Sequence, residues 1–166
     1  MLSLQPPTDA APVLVLAIGN PSRGDDALGP LAAQRLAELA LPGVEVLTDF
    51  QLQVEHALDL LGRSQVIFID AAASGEAPFA LRPLLAAAEA RHTSHSLSPA
   101  AVLDAYRRLT GEEPPPARLL AIRGRDFELG APLSGEAAAN LRAALAALTA
   151  GLHEARTQVG EQPLPA

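Results

Sequence analysis

A single three-layer α/β domain is predicted: a mostly parallel, twisted five-stranded sheet with helices on both faces. Three observations predict it. The chain has 166 residues, the size of one domain with one core. Apolar residues make up 49% of it, with no Trp and one Tyr. The core must therefore be closed by Ala, Leu, Val and Ile, which helix-on-sheet layers pack without large aromatic wedges. Short continuous apolar runs also alternate with segments of helical periodicity, the pattern of successive βαβ units.

Residues 1–12 lack the basic and apolar regions of a signal peptide and read as a flexible segment ahead of a domain spanning 13–153. Val13–Ile18 is a continuous apolar run of strand length, as expected for a parallel strand covered on both faces. Leu28, Leu31, Ala32, Leu36, Leu39 and Ala40 then recur at spacings of three and four, predicting a helix with one apolar face that closes at Leu41-Pro42-Gly43. A second strand follows at 44–47. Val54, Ala57, Leu58 and Leu61 predict a short amphipathic helix stopped by Gly62, and residues 66–69 a third strand ending on Asp70.

Right-handed crossovers put the first strand between the second and the third. Residues 79–81 follow too soon for a crossover helix, so a fourth strand there is expected to run antiparallel at an edge. Ser98-Pro99 starts a helix, Ser as N-cap and Pro at the first helical position, that reaches about Leu109. Residues 118–123 are the last strand. Ser134 caps a final helix carrying Ala137, Leu141, Leu145, Leu148 and Leu152 on one face, and 154–166 is expected to be a C-terminal tail.

Composition removes several function classes. The net charge of −7 disfavours a nucleic-acid surface. No apolar stretch is long enough to span a membrane. The absence of cysteine excludes disulfides, a Cys nucleophile and thiolate metal ligands. A soluble, cytoplasmic monomer is expected, and any metal it meets must be met by O and N donors.

The chemistry concentrates where the first strand breaks into Gly19-Asn20-Pro21-Ser22-Arg23-Gly24-Asp25-Asp26. A glycine-rich strand-to-helix turn without acids holds phosphate on exposed N–H groups. Here two carboxylates repel a phosphate and suit a cation, which disfavours a nucleotide-binding enzyme; the glycines also spell no dinucleotide or Walker pattern. In an open α/β sheet, ligands sit beyond the carboxyl ends of the strands, where strand order switches direction. Asp26 leaves the first strand and Asp70 ends the third, so both are expected in one crevice. If the helix after Ser98 leads into a parallel last strand, its N-terminus lies at the same edge and delivers His95 there. Two carboxylates and one imidazole suit a borderline divalent metal with positions left open. Arg23 either meets an acidic part of a substrate or screens the two acids. Asp25 either borders the substrate or favours the positive end of the helix that follows.

At these residues the chain resembles the hydrogenase maturation endopeptidases. Gly19-Asn20-Pro21-Ser22-Arg23-Gly24-Asp25-Asp26-Ala27-Leu28-Gly29 is similar to that family's GN-xxxx-D-[DE]-xx-G loop, Asp70-Ala71 to its strand-ending Asp-Ala, and Ser94-His95 to its histidine before a helix. Asp26 stands where some members carry Glu, and Ala27 where many carry Gly; neither departure removes a donor. The resemblance implies an endopeptidase that trims the C-terminal extension from the large-subunit precursor of a nickel-iron hydrogenase once nickel is in place. It implies Asp26, Asp70 and His95 as the nickel-contacting set, with Asp26 and Asp70 as catalytic residues. Asp25, Arg23 and Gln51 are assigned to substrate contact, and Asp49-Phe50-Gln51-Leu52-Gln53 is similar to the branch acting on soluble, NAD-linked hydrogenases. No cofactor is permanently bound on this reading: nickel is presented by the substrate, and zinc or cadmium substitutes on the isolated protein. The alternative is a non-catalytic nickel-sensing checkpoint that docks on the precursor.

Overall fold

The computed structural model describes residues 4–89 and 96–160, and of 155–160 only the backbone. Its strands are β1 (Val13–Ile18), β2 (Val44–Asp49), β3 (Gln65–Ala72), β4 (Phe79–Leu84) and β5 (Ala117–Arg123). They form one sheet in the order β2-β1-β3-β5-β4. β1, β2, β3 and β5 are parallel, and β4 pairs antiparallel with β5 at an edge. Pro83 lies in β4, where a missing ladder donor is tolerated. Val15 of β1 stands between Val46 and Ile67, so the first strand is central to its neighbours, as right-handed crossovers require.

Helices α1 (Leu28–Leu39), α2 (His56–Asp59), α3 (Pro99–Thr110) and α4 (Gly135–Gly160) cover the sheet. Alternation along each strand splits the core in two. Val15, Ala17, Ile67, Ile69, Leu120 and Ile122 face α1 and α4, whose Leu28, Leu36, Leu141 and Leu148 pack on them. Leu14, Leu16, Val66 and Phe68 face α2 and α3, which contribute Ala57, Val102, Leu103 and Tyr106. Each fully buried Leu, Ile or Phe contributes on the order of 1.5–3 kcal/mol.

Local chemistry sets the ends of the elements. Ser98 Oγ accepts from Ala101 N at 3.1 Å, and α3 stops at Gly111, whose φ of 74° is left-handed. β3 runs past Asp70 to Ala72 because β5 keeps pairing with it, Asp70 with Ala121 and Ala72 with Arg123, whereas its pairing with β1 ends at Ile69. α2 is a single turn rather than the helix expected over 54–61. His56 Nδ1 takes the Gln53 N–H at 2.8 Å, and Val54 and Leu58 stay exposed. α4 continues to Gly160, so 154–160 extends the last helix instead of forming a tail. The segment ahead of β1 is tied down over its final residues: the Pro12 carbonyl accepts from Ser64 N at 2.7 Å and that of Ala11 from Arg63 Nη1 at 2.9 Å. Among the described residues no helix is long and apolar enough to cross a membrane.

The first turn of α1 is pressed against the end of β1. A Cβ on Gly29 would fall well inside van der Waals contact of the Ile18 carbonyl. Both groups are backbone, so neither can yield by a rotamer change. Gly29→Ala is expected to cost at least about 2 kcal/mol by forcing α1 off the strand; a denaturant midpoint equal to that of the parent protein would contradict this close approach.

Candidate active site at the carboxyl edge of the sheet

The loop after β1 is folded back on itself. Asn20 N donates to Asp26 Oδ2 at 2.7 Å, Ser22 N donates to Asn20 Oδ1 at 2.9 Å, and Asp26 N donates to the Arg23 carbonyl at 3.0 Å. Gly19 has a φ of 151°, and any side chain there would collide with the carbonyl oxygen of Asp26. The two ends of the loop therefore touch, and Asp26 is half-buried with one carboxylate oxygen fixed by backbone. Gly24–Ala27 forms a single 3-10 turn that leads directly into α1.

Asp70 lies one residue beyond the β1–β3 pairing, at the point where β1 departs and strand order reverses. Its side chain shares the sheet face of Phe68, the face covered by α3. Ala71 N donates to Asp70 Oδ1 at 2.8 Å. Burial pushes its carboxyl up to about 7; the Ala71 hydrogen bond works against this, and the negative charge of Asp26 adds to it. Asp26 and Asp70 thus sense one another electrostatically across the switch point. Near neutral pH Asp70 is divided between its acid and its base, the condition for moving a proton.

The expected residues do not all meet in this crevice. Asp25, assigned to substrate contact or to the helix that follows it, is turned inward and fully buried. Its Oδ2 accepts from Arg125 N at 2.6 Å, Asp126 N at 3.0 Å and Ser134 Oγ at 2.8 Å, and its Oδ1 accepts from Ser134 N at 2.8 Å. Burial alone would raise its carboxyl, but these bonds outweigh burial and hold it below the usual carboxylate value. A carboxylate with this many internal donors is not presented to a substrate. Arg23 is exposed at the loop tip, and Gln51 is exposed just beyond β2. Neither lines the hollow of about 300 Å³ formed by Gly19, Pro21, Pro30, Thr48, Asp49 and Phe50.

His95 lies outside the described residues. The chain that follows it is held at the carboxyl edge, with Leu97 N donating to the Leu52 carbonyl at 2.9 Å. Among the described residues no three His, Cys, Asp or Glu side chains gather around one metal position. A second histidine sits near this edge: His56 Nε2 faces Asp49 Oδ2 at 3.3 Å while its Nδ1 accepts from Gln53 N. With Nδ1 accepting, the ring proton resides on Nε2. Sequence reasoning did not single out the β5–α4 loop, whose Arg125, Asp126 and Ser134 hold Asp25. Ser134 was legible as a helix cap, a role it fills by accepting from Ala137 N at 3.1 Å.

The chain matches no protein-family model and no curated protein. Solved structures are similar over most of its length. The hydrogenase maturating endopeptidase HybD from E. coli superposes with a TM-score of 0.69 at 25% identity, over 86% of this chain and 93% of that one. An endopeptidase from Escherichia coli, solved in solution, gives 0.66 at 27%, over 86% and 93%. The [NiFe] hydrogenase maturation protease HycI from Thermococcus kodakarensis KOD1 gives 0.63 at 26%, over 85% and 92%.

Proposed function

The chain belongs with the hydrogenase maturation endopeptidases, and from that premise we propose that it removes the C-terminal extension of a nickel-iron hydrogenase large-subunit precursor after nickel insertion. It is a peptide hydrolase, and its acids and histidine read the metal. The reading is carried by the pairing at the switch point, where a half-buried Asp70, its carboxyl raised to about 7, lies within electrostatic reach of Asp26. Two carboxylates that repel one another when both are ionised gain most from an incoming divalent cation. A precursor without nickel brings no such charge, so discrimination comes from an interaction that only the loaded precursor makes.

Asp26, Asp70 and His95 form the O,O,N set that meets the nickel. Support for His95 comes from the anchoring of Leu97 to Leu52 and from α3, whose N-terminus lies on the sheet face that Asp70 occupies. At the scissile bond, ionised Asp70 takes a proton from the attacking water as its oxygen bonds to the carbonyl carbon. Protonated Asp70 then returns that proton to the departing amine as the C–N bond breaks. Asp26, its Oδ2 held by Asn20 N, is fixed in place beside this exchange. Arg23 and Gln51, both exposed, contact the precursor. The protein works as a cytoplasmic monomer with no resident cofactor, and zinc or cadmium substitutes for nickel on the isolated chain.

The test is cleavage of nickel-loaded against nickel-free precursor. The parent protein is expected to trim only the loaded form. Asp26→Asn, Asp70→Asn and His95→Ala are each expected to lower the rate roughly a hundredfold or more. Full activity in all three variants would end the reading, and binding of loaded precursor without trimming would select the checkpoint alternative.

A further inference from the structure

The two adjacent acids divide their work, and we propose that Asp25 is the positioning residue of the site, locking the β5–α4 loop against the acidic loop so that Asp26 is held in its working orientation. The inference rests on the reading of Asp26 as a site carboxylate. It starts from the number and origin of the groups that meet Asp25. Three backbone N–H groups and one hydroxyl converge on its carboxylate, all from residues 125, 126 and 134, about a hundred positions downstream. The contact is reciprocal, because Asp25 N donates to the Asp126 carbonyl at 2.7 Å.

The two loops also meet where neither has room for a side chain. A Cβ on Gly24, whose φ is 52°, would collide with the Asp126 carbonyl, and one on Gly124 would lie 2.8 Å from Asp25 Cβ and 2.7 Å from Phe127 Cζ. Farther along, Gly130 N donates to the Ser22 carbonyl at 2.8 Å. The acidic loop is therefore fastened along its length to a segment that carries none of the site acids.

Asp26 is the next residue along the chain, within the same 3-10 turn, and its direction follows from the backbone that Asp25 fixes. No side-chain cap holds the start of that turn, and the Asn20 N–H that meets Asp26 Oδ2 comes from within the acidic loop itself, so Asp25 supplies the tie to the rest of the fold. Catalytic groups must stay within about 0.5 Å and 10–20° of their working geometry, and a misplacement of about 1 Å costs up to about a hundredfold in rate. Asp25→Asn keeps the shape but removes the match. Both oxygens accept from N–H groups, so whichever way the amide turns, its own NH₂ faces a donor. Ser134→Ala removes the hydroxyl donor while leaving the three backbone bonds, and Ser134→Thr restores the hydroxyl.

Processing kinetics on nickel-loaded precursor test the proposal at a temperature where circular dichroism shows each variant folded. Asp25→Asn is expected to lower kcat roughly tenfold or more with KM within about twofold of the parent value. Ser134→Ala is expected to lower kcat by a smaller factor, about threefold, and Ser134→Thr to recover it. A folded Asp25→Asn with parental kcat would overturn the proposal, because a merely structural role lowers the melting temperature without touching turnover. If Asp25→Asn does not fold, the Ser134 pair decides: parental kcat in Ser134→Ala overturns the proposal, and loss in Ser134→Ala with recovery in Ser134→Thr supports it. Asp26→Asn run in parallel separates the two readings, since parental activity there would remove the reading of Asp26 as a site carboxylate on which this one rests.

Discussion

Asp70→Asn is expected to abolish processing and at the same time to stabilise the protein at pH 8. The two effects share one cause. Burial raises the Asp70 carboxyl from 3.8 to about 7 in the folded chain, so between those values the folded state holds a proton that the unfolded chain has released. The contribution of Asp70 to stability is fully present below about pH 4, declines as pH rises through the window, and is lost above about 7. The cost of keeping the ionised side chain in place above pH 7 is on the order of a few kcal/mol. Asn has no charge to bury, and its amide oxygen keeps the acceptor role toward Ala71 N. Urea unfolding of parent and variant across pH 4 to 8 should give curves that coincide at the acid end and separate toward neutrality, with the variant more stable. Curves that stay parallel, or a variant less stable at pH 8, would show that Asp70 is not held against its own ionisation.

The second large effect is in pH dependence. If ionised Asp70 is the form that meets a cation and accepts a proton, kcat/KM must rise through about pH 7 and fall about tenfold for each unit below it. Two units of acidification then remove about a hundredfold of activity, more than any loss of fold in that range explains. Because Asp26 contributes to the rise of Asp70, Asp26→Asn should move the Asp70 titration to lower pH, measured by carboxyl ¹³C shifts rather than by turnover. A flat profile between pH 5 and 8 would assign the chemistry to another group. An Asp70 titration unmoved by Asp26→Asn would mean that the two acids do not share a crevice.

Much of the architecture was legible because it follows from local pattern and from handedness. The apolar run of β1, the Ser98-Pro99 start of α3 and the Ser134 cap of α4 each carry their signal within a few residues. The place of β1 between β2 and β3 needed only one further rule, the right-handed crossover, and the edge position of β4 followed from a connection too short for a helix; that β5 lies between β3 and β4 was not read from the sequence. Of the candidate site, the neighbourhood of the two acids was legible because both sit at strand ends. Asp26 and Asp70 reach one switch point because β1 and β3 are neighbours in the sheet.

What the sequence hides is which of two adjacent aspartates faces inward. Asp25 and Asp26 are alike in local context, and the groups that capture Asp25 belong to a loop whose approach is set by the whole sheet. The length of α2 was hidden for a related reason. Its apolar spacing suits two turns, but His56 Nδ1 accepts from Gln53 N ahead of the helix, and α2 begins only at His56. The glycines at 19 and 29 carry no side-chain signal, and their necessity emerges only when Asp26 and Ile18 are seen against them.

The central claim is that Asp26 and Asp70 face one incoming divalent ion. Its most direct test is anomalous scattering from crystals of the isolated protein soaked in cadmium. A peak is expected within bonding distance of both carboxylates, at the carboxyl ends of β1 and β3. A bare switch point, with the peak held instead by Asp49 and His56, would contradict it.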